Sequence, residues 1–434
     1  MDSKTLSSRL RELVKVRASS PPPNQVPSPT DPSQFLASVK GDLANVTGPP
    51  SLLAPSSVVE VGQCWAQRPS IFTAPALEPC PQKRALLVLR WFLASLRSQL
   101  YIGVDHPSNN NCNSPGTRPT SSTSSTSIRK PLNAFLGELF LATFPSPCPE
   151  TNNTTHLVAE QVSHHPPITA MHVSSPEHGI RADGYARVEM TFNGSVNIRQ
   201  LGHATLHIDC FDEDYLVPLP DVKVRGFLAG CMYPELGGVY TIVGSSGWVS
   251  EVRFWGEGLV RGKKNSFEAR VYHQETPKKA VYEVAGCWNE GWTVRECGTG
   301  EVMEVYEVDA PENGAVRMVT EPVEKQDPWE SRRAWGGVLE GLRVGDMRTV
   351  VAEKSKIEEA QRRMRASEAK RGTAWEPLLF QSLPAEEHDV FHRLSKGLAW
   401  PLQQDKTKGV WRVDDDRVKK LQRPFRGSLT PFGY

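Results

Sequence analysis

The sequence lacks an excess of charge of either sign. Its 434 residues include 50 Lys and Arg against 49 Asp and Glu, which gives a formal net charge of +1. A protein that gathers nucleic acid through its overall field needs a surplus of positive charge. We therefore expect no nucleic-acid partner, and any anionic ligand has to be met by a local site.

Long apolar runs are also missing. No stretch approaches the roughly 18 apolar residues of a transmembrane helix. The N-terminal stretch MDSKTLSSRLRELVKVRASS lacks the apolar core of a secretory signal. The sequence therefore predicts a protein that is neither secreted nor integral to a membrane.

The cysteine pattern argues against two further classes of site. There are 8 cysteines, and they form neither a C-x-x-C pair nor the spacing of a zinc site. We expect free thiols in a reducing, cytoplasmic compartment, with no metal and no cofactor.

Two features divide the N-terminal region. Residues 1–30 are basic and rich in Pro and Ser, which predicts a disordered tail. Residues 31–46 form a predicted amphipathic helix before the break at Gly48-Pro49-Pro50. Its apolar stripe, which needs a surface to cover, consists of Phe35, Leu36, Val39 and Leu43.

Residues 51–128 are predicted to be a helical segment with one insertion. The stretch from Ala85 to Tyr101 is apolar on most faces, which predicts a buried helix. Residues 108–127 consist largely of Ser, Thr and Asn, so we expect a disordered surface loop there.

The hydrophobic period changes to two from about Leu157 to Val308. Alternating runs separated by turn residues include Arg187–Phe192, Val249–Phe254 and Phe267–Tyr272. Many consecutive antiparallel strands favour a sheet rolled into a barrel, and a large barrel can enclose a ligand. We assign residues 129–310 to this barrel.

Helix-forming sequence returns after Pro311. The stretch Thr349–Arg371 predicts one long, highly charged helix within a C-terminal subdomain at residues 311–434. On it, Lys354, Glu358 and Arg362 recur every four residues, so they share one stripe. Alone, the stripe is typical of a solvated ion-pair ladder. Beside other donors it would suit a phosphomonoester, which needs several charge-assisted hydrogen bonds.

The most distinctive string is EQVSHHPP at residues 160–167. It invites an enzymatic interpretation, with Ser163 as nucleophile and a histidine as base. Adjacent side chains on a strand point to opposite faces, so His164 and His165 share one small ligand only if the chain bends sharply. The residues alone leave open a structural pair, an anion-binding pair and a catalytic pair.

EQVSHHPP resembles the fingerprint of the oxysterol-binding protein family, and KPLNAFLGE at residues 130–138 resembles a second signature of that family. Further similarity lies in GKKNSF at 262–267, ESRRAW at 330–335 and EEAQR at 358–362. The motifs follow the family's order over residues 33–375. They point to its short, yeast-like lipid-transfer members, which lack a pleckstrin-homology domain.

The resemblance implies a β-dominated α+β fold. Its main part would be a large, nearly complete antiparallel β-barrel that encloses a lipid tunnel. A helical lid at residues 31–50 and a C-terminal helical subdomain would complete the fold.

The resemblance also implies a site for the headgroup of phosphatidylinositol 4-phosphate. His164 and His165 would hold the 4-phosphate, and Leu132 would line the tunnel entrance. The implied headgroup residues are Lys130, Asn133, His164, His165, Lys354, Glu358 and Arg362.

For an apolar ligand, the resemblance places Phe35 in the lid and Trp65 and Gln99 at the tunnel. Gln99 would anchor a sterol hydroxyl. The alternative is that Trp65 and Gln99 are core residues. Leu100 departs from the short yeast-like members, which carry tyrosine at this position.

The predicted function is lipid transfer without catalysis. A sterol and phosphatidylinositol 4-phosphate would bind one at a time in a lidded tunnel and be exchanged between membranes. We expect a cytoplasmic monomer, peripheral to organelle membranes, that contacts membrane surfaces transiently. The alternatives are a sensor that reports lipid to a protein partner and a lipid hydrolase that uses Ser163 and His164.

Overall fold

A computed structural model describes most of the chain beyond the N-terminal region. The described residues are 53–100, 130–146, 153–192, 195–225, 233–256, 264–396, 398 and 404–433. The predicted tail, the predicted lid helix with Phe35 and the insert at residues 108–127 lie outside them and stay predictions.

One antiparallel sheet of 14 strands dominates the described residues. Its strands are β3 (Leu139–Pro145), β4 (Thr154–His164), β5 (Pro167–Ser175), β6 (Ile180–Phe192), β7 (Val196–Ile208), β8 (Glu213–Pro218), β9 (Val222–Arg225), β10 (Tyr233–Leu236), β11 (Gly238–Gly244), β12 (Trp248–Trp255), β13 (Ser266–His273), β14 (Ala280–Cys287), β15 (Gly291–Glu296) and β16 (Val302–Glu307). Consecutive strands pair from β3 to β8, β8 then pairs with β11, and pairing continues to β16. The hairpin of β9 and β10 extends β7.

The first and last strands, β3 and β16, do not pair with each other in the described part of the chain. The sheet is therefore a large barrel that stops short of closure, as predicted. The three alternating runs cited above lie in β6, β12 and β13, as predicted.

Alternation along each strand gives the sheet two distinct faces. In β13, Phe267, Ala269 and Val271 are buried while Glu268 and Arg270 are exposed. Because successive side chains point to opposite faces of a strand, each strand adds one apolar row to the interior.

Three helices cover the inner face: α1 (Gln63–Ala66), α2 (Pro69–Leu77) and α3 (Pro81–Leu100). α3 is the predicted buried helix, and it begins four residues earlier than predicted. Its Phe92 packs against Phe254 of β12, with 6.4 Å between the ring centroids. Each large apolar side chain buried in this way contributes roughly 1.5 to 3 kcal/mol. We call this packing the inner core.

A C-terminal layer covers the outer face of β4 to β8. It comprises α4 (Ser331–Ala334), α5 (Gly336–Val344), α6 (Met347–Arg371), β17 (Phe380–Leu383), α7 (Asp389–Leu394), α8 (Gln404–Thr407), β18 (Val410–Val413) and α9 (Asp415–Lys420). Outward side chains such as Ile168 and Tyr185 pack with Phe380 and Phe391 of this layer. We call this packing the outer core.

The predicted long helix is α6, with well-defined ends. The Asp346 side chain accepts hydrogen bonds from the amides of Arg348 and Thr349, which caps the N-terminus. Gly372 ends the helix with a φ of 65°, a left-handed conformation that glycine adopts without strain.

Several strands were not predicted. β1 (Leu53–Ser57) and β2 (Lys130–Leu132) form a separate parallel pair, and β17 pairs with β18. β3 lies within the predicted barrel at residues 129–310 but precedes the alternating pattern that begins near Leu157. A period of two is hardly visible in such short strands, and Pro55 and Pro131 in β1 and β2 argue against a strand.

Candidate ligand-binding site

The histidine pair lies where the chain turns from β4 to β5. β4 ends at His164 and β5 begins at Pro167, so His165 and Pro166 form the reversal. The two imidazole rings meet edge to face, with 4.6 Å between their centroids. The chain thus makes the sharp bend that a shared ligand requires.

Both imidazoles are neutral near pH 7. Burial, together with the charges of His165 and Arg365, lowers the pKa of His164 to about 4. Partial burial, with the cations Arg365 and Lys408 nearby, also lowers the pKa of His165. His164 Nδ1 is buried without a hydrogen-bond partner among the described residues. Because a neutral imidazole still has one N–H donor, the pair can bind an anion through hydrogen bonds.

The second signature packs beside the histidines. The Ala134 backbone lies close enough to the His164 ring to oppose the lowering of its pKa. The turn that follows is fixed to β4, because the Gly137 amide donates to the Gln161 carbonyl oxygen at 2.9 Å. The structure thus brings KPLNAFLGE and EQVSHHPP into contact, although the two motifs are separated in sequence.

The predicted residues of this second signature differ in exposure. Lys130 and Asn133 are half-buried, and Leu132 is buried. Glu138, the last residue of the signature, is fully buried, and its Oε2 accepts from the Phe135 amide at 3.0 Å. Burial raises the pKa of Glu138 to about 7. This carboxyl group closes the turn that follows Asn133.

The predicted stripe on α6 reaches the histidines in part. Lys354 is buried and forms an ion pair with Glu358, whose charge acts on His164. Arg362 is exposed, and its Nε donates to the Glu358 carbonyl oxygen at 3.3 Å. The pair of Lys354 and Glu358 is therefore near His164, while Arg362 is exposed to solvent on the same helix.

Arg365 and Lys408 adjoin the histidines, although the sequence analysis did not select them. Arg365 follows Lys354 by eleven residues, a net helix rotation of about 20°, whereas Arg362 is rotated by about 80°. Lys408 lies between α8 and β18, and its Nζ donates to Ser163 Oγ at 3.0 Å. Helical spacing would have revealed Arg365, but no local pattern marks Lys408.

Ser163 lacks the surroundings that the hydrolase interpretation required. Its buried hydroxyl is hydrogen-bonded to Lys408 Nζ, and no bond joins it to His164 in the described residues. A serine nucleophile needs a hydrogen-bonded base. The geometry therefore favours binding over the proposed pairing of Ser163 with His164.

Glu160, the first residue of EQVSHHPP, anchors the C-terminal layer. Its fully buried carboxylate accepts from the amides of Leu378 and Leu379, each at 2.8 Å. Arg426 Nη2 lies 3.7 Å from the same carboxylate, and its guanidinium lies 3.7 Å from the Trp375 ring centroid. The fingerprint therefore combines a ligand-facing turn with an anchor for the outer core.

Trp65 lies in the inner core, close to β6. A Cβ atom at Gly184 would lie 2.3 Å from Trp65 Cη2, so only glycine allows this approach. The Trp65 ring also meets Trp91 edge to face, with 5.5 Å between centroids. Trp65 is therefore a packed residue of the interior, at the wall that an apolar ligand would meet.

Gln99 begins a chain of amide groups at the end of α3. Its Nε2 donates to Gln200 Oε1 at 3.2 Å, and Gln200 Nε2 donates to the Pro220 carbonyl oxygen at 2.6 Å. Leu100 is half-buried and packs against the inner core. Side-chain amides both donate and accept, which suits a hydroxyl partner. Gln200 could not be selected from the sequence, since nothing distinguishes it from the other polar residues of its strand.

Two further features were searched for in the described residues. None of the helices there is both long enough and apolar enough to cross a membrane. No three His, Cys, Asp or Glu side chains in that part of the chain come together as a metal site would require.

Comparison with known proteins gives several matches. The family model for oxysterol-binding protein matches residues 118–337, about half of the chain. The probable transporter efuK of Hormonema carpetanum is 45% identical over 400 residues, which is 91% of this chain and 54% of that protein. This chain thus spans about half the length of efuK. Protein kes1 of Schizosaccharomyces pombe is 31% identical over 379 residues, which is 87% of this chain and 90% of that protein.

Solved structures show the same fold. The ORD domain of Osh1 in complex with cholesterol has a TM-score of 0.63 at 20% identity, over 94% of this chain and 99% of that one. The Osh3 ORD of Saccharomyces cerevisiae in complex with PI(4)P has a TM-score of 0.61 at 20% identity, over 85% and 90%.

Three sequence comparisons agree on the family. The motifs resemble the family's signatures, the family model matches the region that contains both of them, and a relative of similar length is 31% identical. The chain therefore belongs to the oxysterol-binding protein family.

Proposed function

We propose that the protein binds a sterol and phosphatidylinositol 4-phosphate one at a time and exchanges them between cytoplasmic membrane surfaces. The observation that carries this proposal is the convergence of both signatures and α6 on one histidine turn. That turn belongs to a sheet whose inner face is apolar. A polar headgroup and an apolar body thus each have a matching surface.

The headgroup end supplies donors and one acceptor. A phosphomonoester carries about −1.5 to −2 charges near neutral pH and three acceptor oxygens. His164 and His165 offer N–H groups to it, and Lys354 offers a cation. Glu358 is an acceptor for inositol hydroxyl groups. Lys130 and Asn133, on the neighbouring signature, complete the proposed set.

Two proteins of the same fold support the proposal that both lipids use the same interior space. The Osh3 domain was solved with PI(4)P, and the Osh1 domain was solved with cholesterol and with ergosterol. If both ligands insert their apolar parts against the inner core of this chain, only one can be present at a time. Mutual exclusion is what exchange between two membranes requires, because each delivery then frees the site for the other lipid.

The free energy of keeping the bound lipid out of water explains why we propose a lid. At about 0.8 kcal/mol per buried CH₂, roughly twenty apolar carbons give on the order of 16 kcal/mol for removal from water. A bilayer also keeps these carbons away from water. The free energy of transfer from membrane to protein is therefore close to zero only when the pocket is closed. We therefore retain the stripe of Phe35, Leu36, Val39 and Leu43 as a cover that opens at a membrane.

The double variant H164A/H165A tests the headgroup assignment. Extraction of phosphatidylinositol 4-phosphate from liposomes should be abolished, because the phosphate loses the imidazole N–H groups that would bind it. Sterol binding should remain, since Trp65 and the inner core are unchanged. Unimpaired extraction by the double variant would contradict the assignment.

Transfer itself is measured as lipid flux between two liposome populations. A transfer protein moves lipid in proportion to time and returns it unchanged in mass, whereas a hydrolase changes its mass. A lipid sensor would bind without flux. Mass spectrometry of the recovered lipid, together with the flux, therefore separates the three functions.

A further inference from the structure

The two histidines of the turn bring no positive charge to a phosphate bound there. His164 and His165 are neutral near pH 7. The Lys354 ammonium is paired with Glu358. A dianion that enters the turn therefore needs further cations close to the histidines.

Arg365 of α6 is the first of these cations. Its charge acts on both imidazoles, so it lies close to them. Its Nη1 is buried and has no hydrogen-bond partner among the described residues. A buried charged donor without an acceptor is costly, and an anion bound at the turn would supply the acceptor.

Lys408 is the second cation, and it approaches from the C-terminal layer. Its Nζ lies 3.0 Å from Ser163 Oγ, one residue before the histidine pair, and its charge acts on His165. Lys408 has a φ of 56°, a left-handed conformation that is uncommon for residues other than glycine. Buried Thr407 and Gly409 hold it, since the Thr407 hydroxyl donates to the Gly409 carbonyl oxygen at 3.0 Å.

We infer that Arg365 and Lys408 are the principal cationic contacts of the phosphomonoester bound at the histidine turn. This inference rests on the proposed function and adds two residues to its site. The phosphate would bridge β4, α6 and the segment before β18. A lipid headgroup and free phosphate share this chemistry, so the test has to distinguish them.

The variants R365Q and K408Q remove each charge while keeping a polar side chain. Extraction of phosphatidylinositol 4-phosphate from phosphatidylcholine vesicles should fall about tenfold to a hundredfold, the range for losing one hydrogen bond to a charged group. K408R should retain most of the extraction. R363Q and K370Q, which change exposed residues of α6, are the matched controls and should extract like the wild type. Sterol binding should be unchanged in every variant.

Two further measurements distinguish a lipid headgroup from free phosphate as the ligand. Extraction of phosphatidylinositol without the 4-phosphate should not depend on Arg365 or Lys408. Inorganic phosphate should compete weakly if the site recognises the lipid headgroup, and as strongly as the lipid if it recognises free phosphate. Competition of equal strength would overturn the lipid assignment.

A measurement on the unaltered protein keeps the inference testable if a variant fails to fold. Loading with phosphatidylinositol 4-phosphate should protect Lys408 from acetylation, whereas loading with sterol should not, and Lys370 should react equally in both states. Full reactivity of Lys408 in the phosphoinositide complex would overturn the inference while leaving the proposed function intact. If the wild type extracts no phosphoinositide, the proposed function itself is wrong.

Discussion

The two faces of the sheet differ in how much of their packing depends on buried polar groups. The inner face packs against α1 to α3 mainly through aromatic and aliphatic side chains such as Trp65, Phe92 and Phe254, together with a buried ion pair between Arg84 of α3 and Glu213 of β8. The outer face packs against the C-terminal layer through an apolar core that also contains the buried polar groups Glu160 and His203. The inner face thus suits an apolar cargo, whereas the outer face fixes the charged elements of the headgroup site.

Removal of Glu160 should have the largest effect on this comparison. E160A leaves the half-buried Arg426 guanidinium without this carboxylate and two amides without an acceptor. Breaking a buried ion pair in this way costs about 3 to 5 kcal/mol of unfolding free energy. Urea denaturation measures the loss. E340Q removes the exposed partner of Arg343 and should leave the unfolding midpoint unchanged. A midpoint in E160A equal to that of the wild type would mean that the outer core does not depend on this anchor.

Gly184 gives the corresponding test of the inner face. G184A places a methyl group against the Trp65 ring, and overpacking of this kind costs about 1 to 3 kcal/mol. Because the change is apolar, the loss should be the same at pH 5 and pH 8. Thermal unfolding at both values checks this. A loss that varied with pH would show that the substitution also disturbs titratable groups such as Glu213, which forms a buried ion pair with Arg84 of α3.

The lowered pKa of His203, whose ring packs on the outer face, affects stability only in acid, so this effect is the smallest of the three at neutral pH. The His203 ring stacks on Phe391 of α7 at 4.6 Å, and burial lowers its pKa to about 3. The unfolded state therefore binds a proton below its ordinary pKa of about 6.5 while the folded state does not. Stability should fall by about 1.4 kcal/mol per pH unit as the pH drops below that value.

The variant H203Q should reduce this pH dependence between pH 6.5 and 5. His388 also has a pKa lowered by burial, so part of the dependence should remain. H392N, at an exposed position of α7, is the control and should keep the slope of the wild type. An unchanged slope in H203Q would mean that His203 is protonated in the folded protein.

The sequence predicted long regular elements better than the contacts between layers. α3, α6 and the runs in β6, β12 and β13 have hydrophobic periods long enough to be recognised. The partners of Glu160 lie more than 200 residues further along the chain, at Leu378 and Leu379. No local pattern predicts such pairs, because they form only when the C-terminal layer docks.

Prediction of the site from the sequence was limited in the same way. Family resemblance predicted His164, His165 and Lys354, and the structure brings them to one region around the turn. Strand alternation alone argued against a shared ligand, because it could not show that the chain reverses after His164. Lys408 comes from another layer of the fold, and its role depends on a contact with Ser163 that spacing cannot reveal.

The most direct test of the account is competition between the two lipids. The protein should be loaded with a fluorescent sterol and then titrated with phosphatidylinositol 4-phosphate. One site for both ligands predicts stoichiometric displacement, one sterol released for each phosphoinositide bound, and the reverse titration should give the same coupling. Simultaneous saturation by both lipids would contradict the account, because it would require two separate sites.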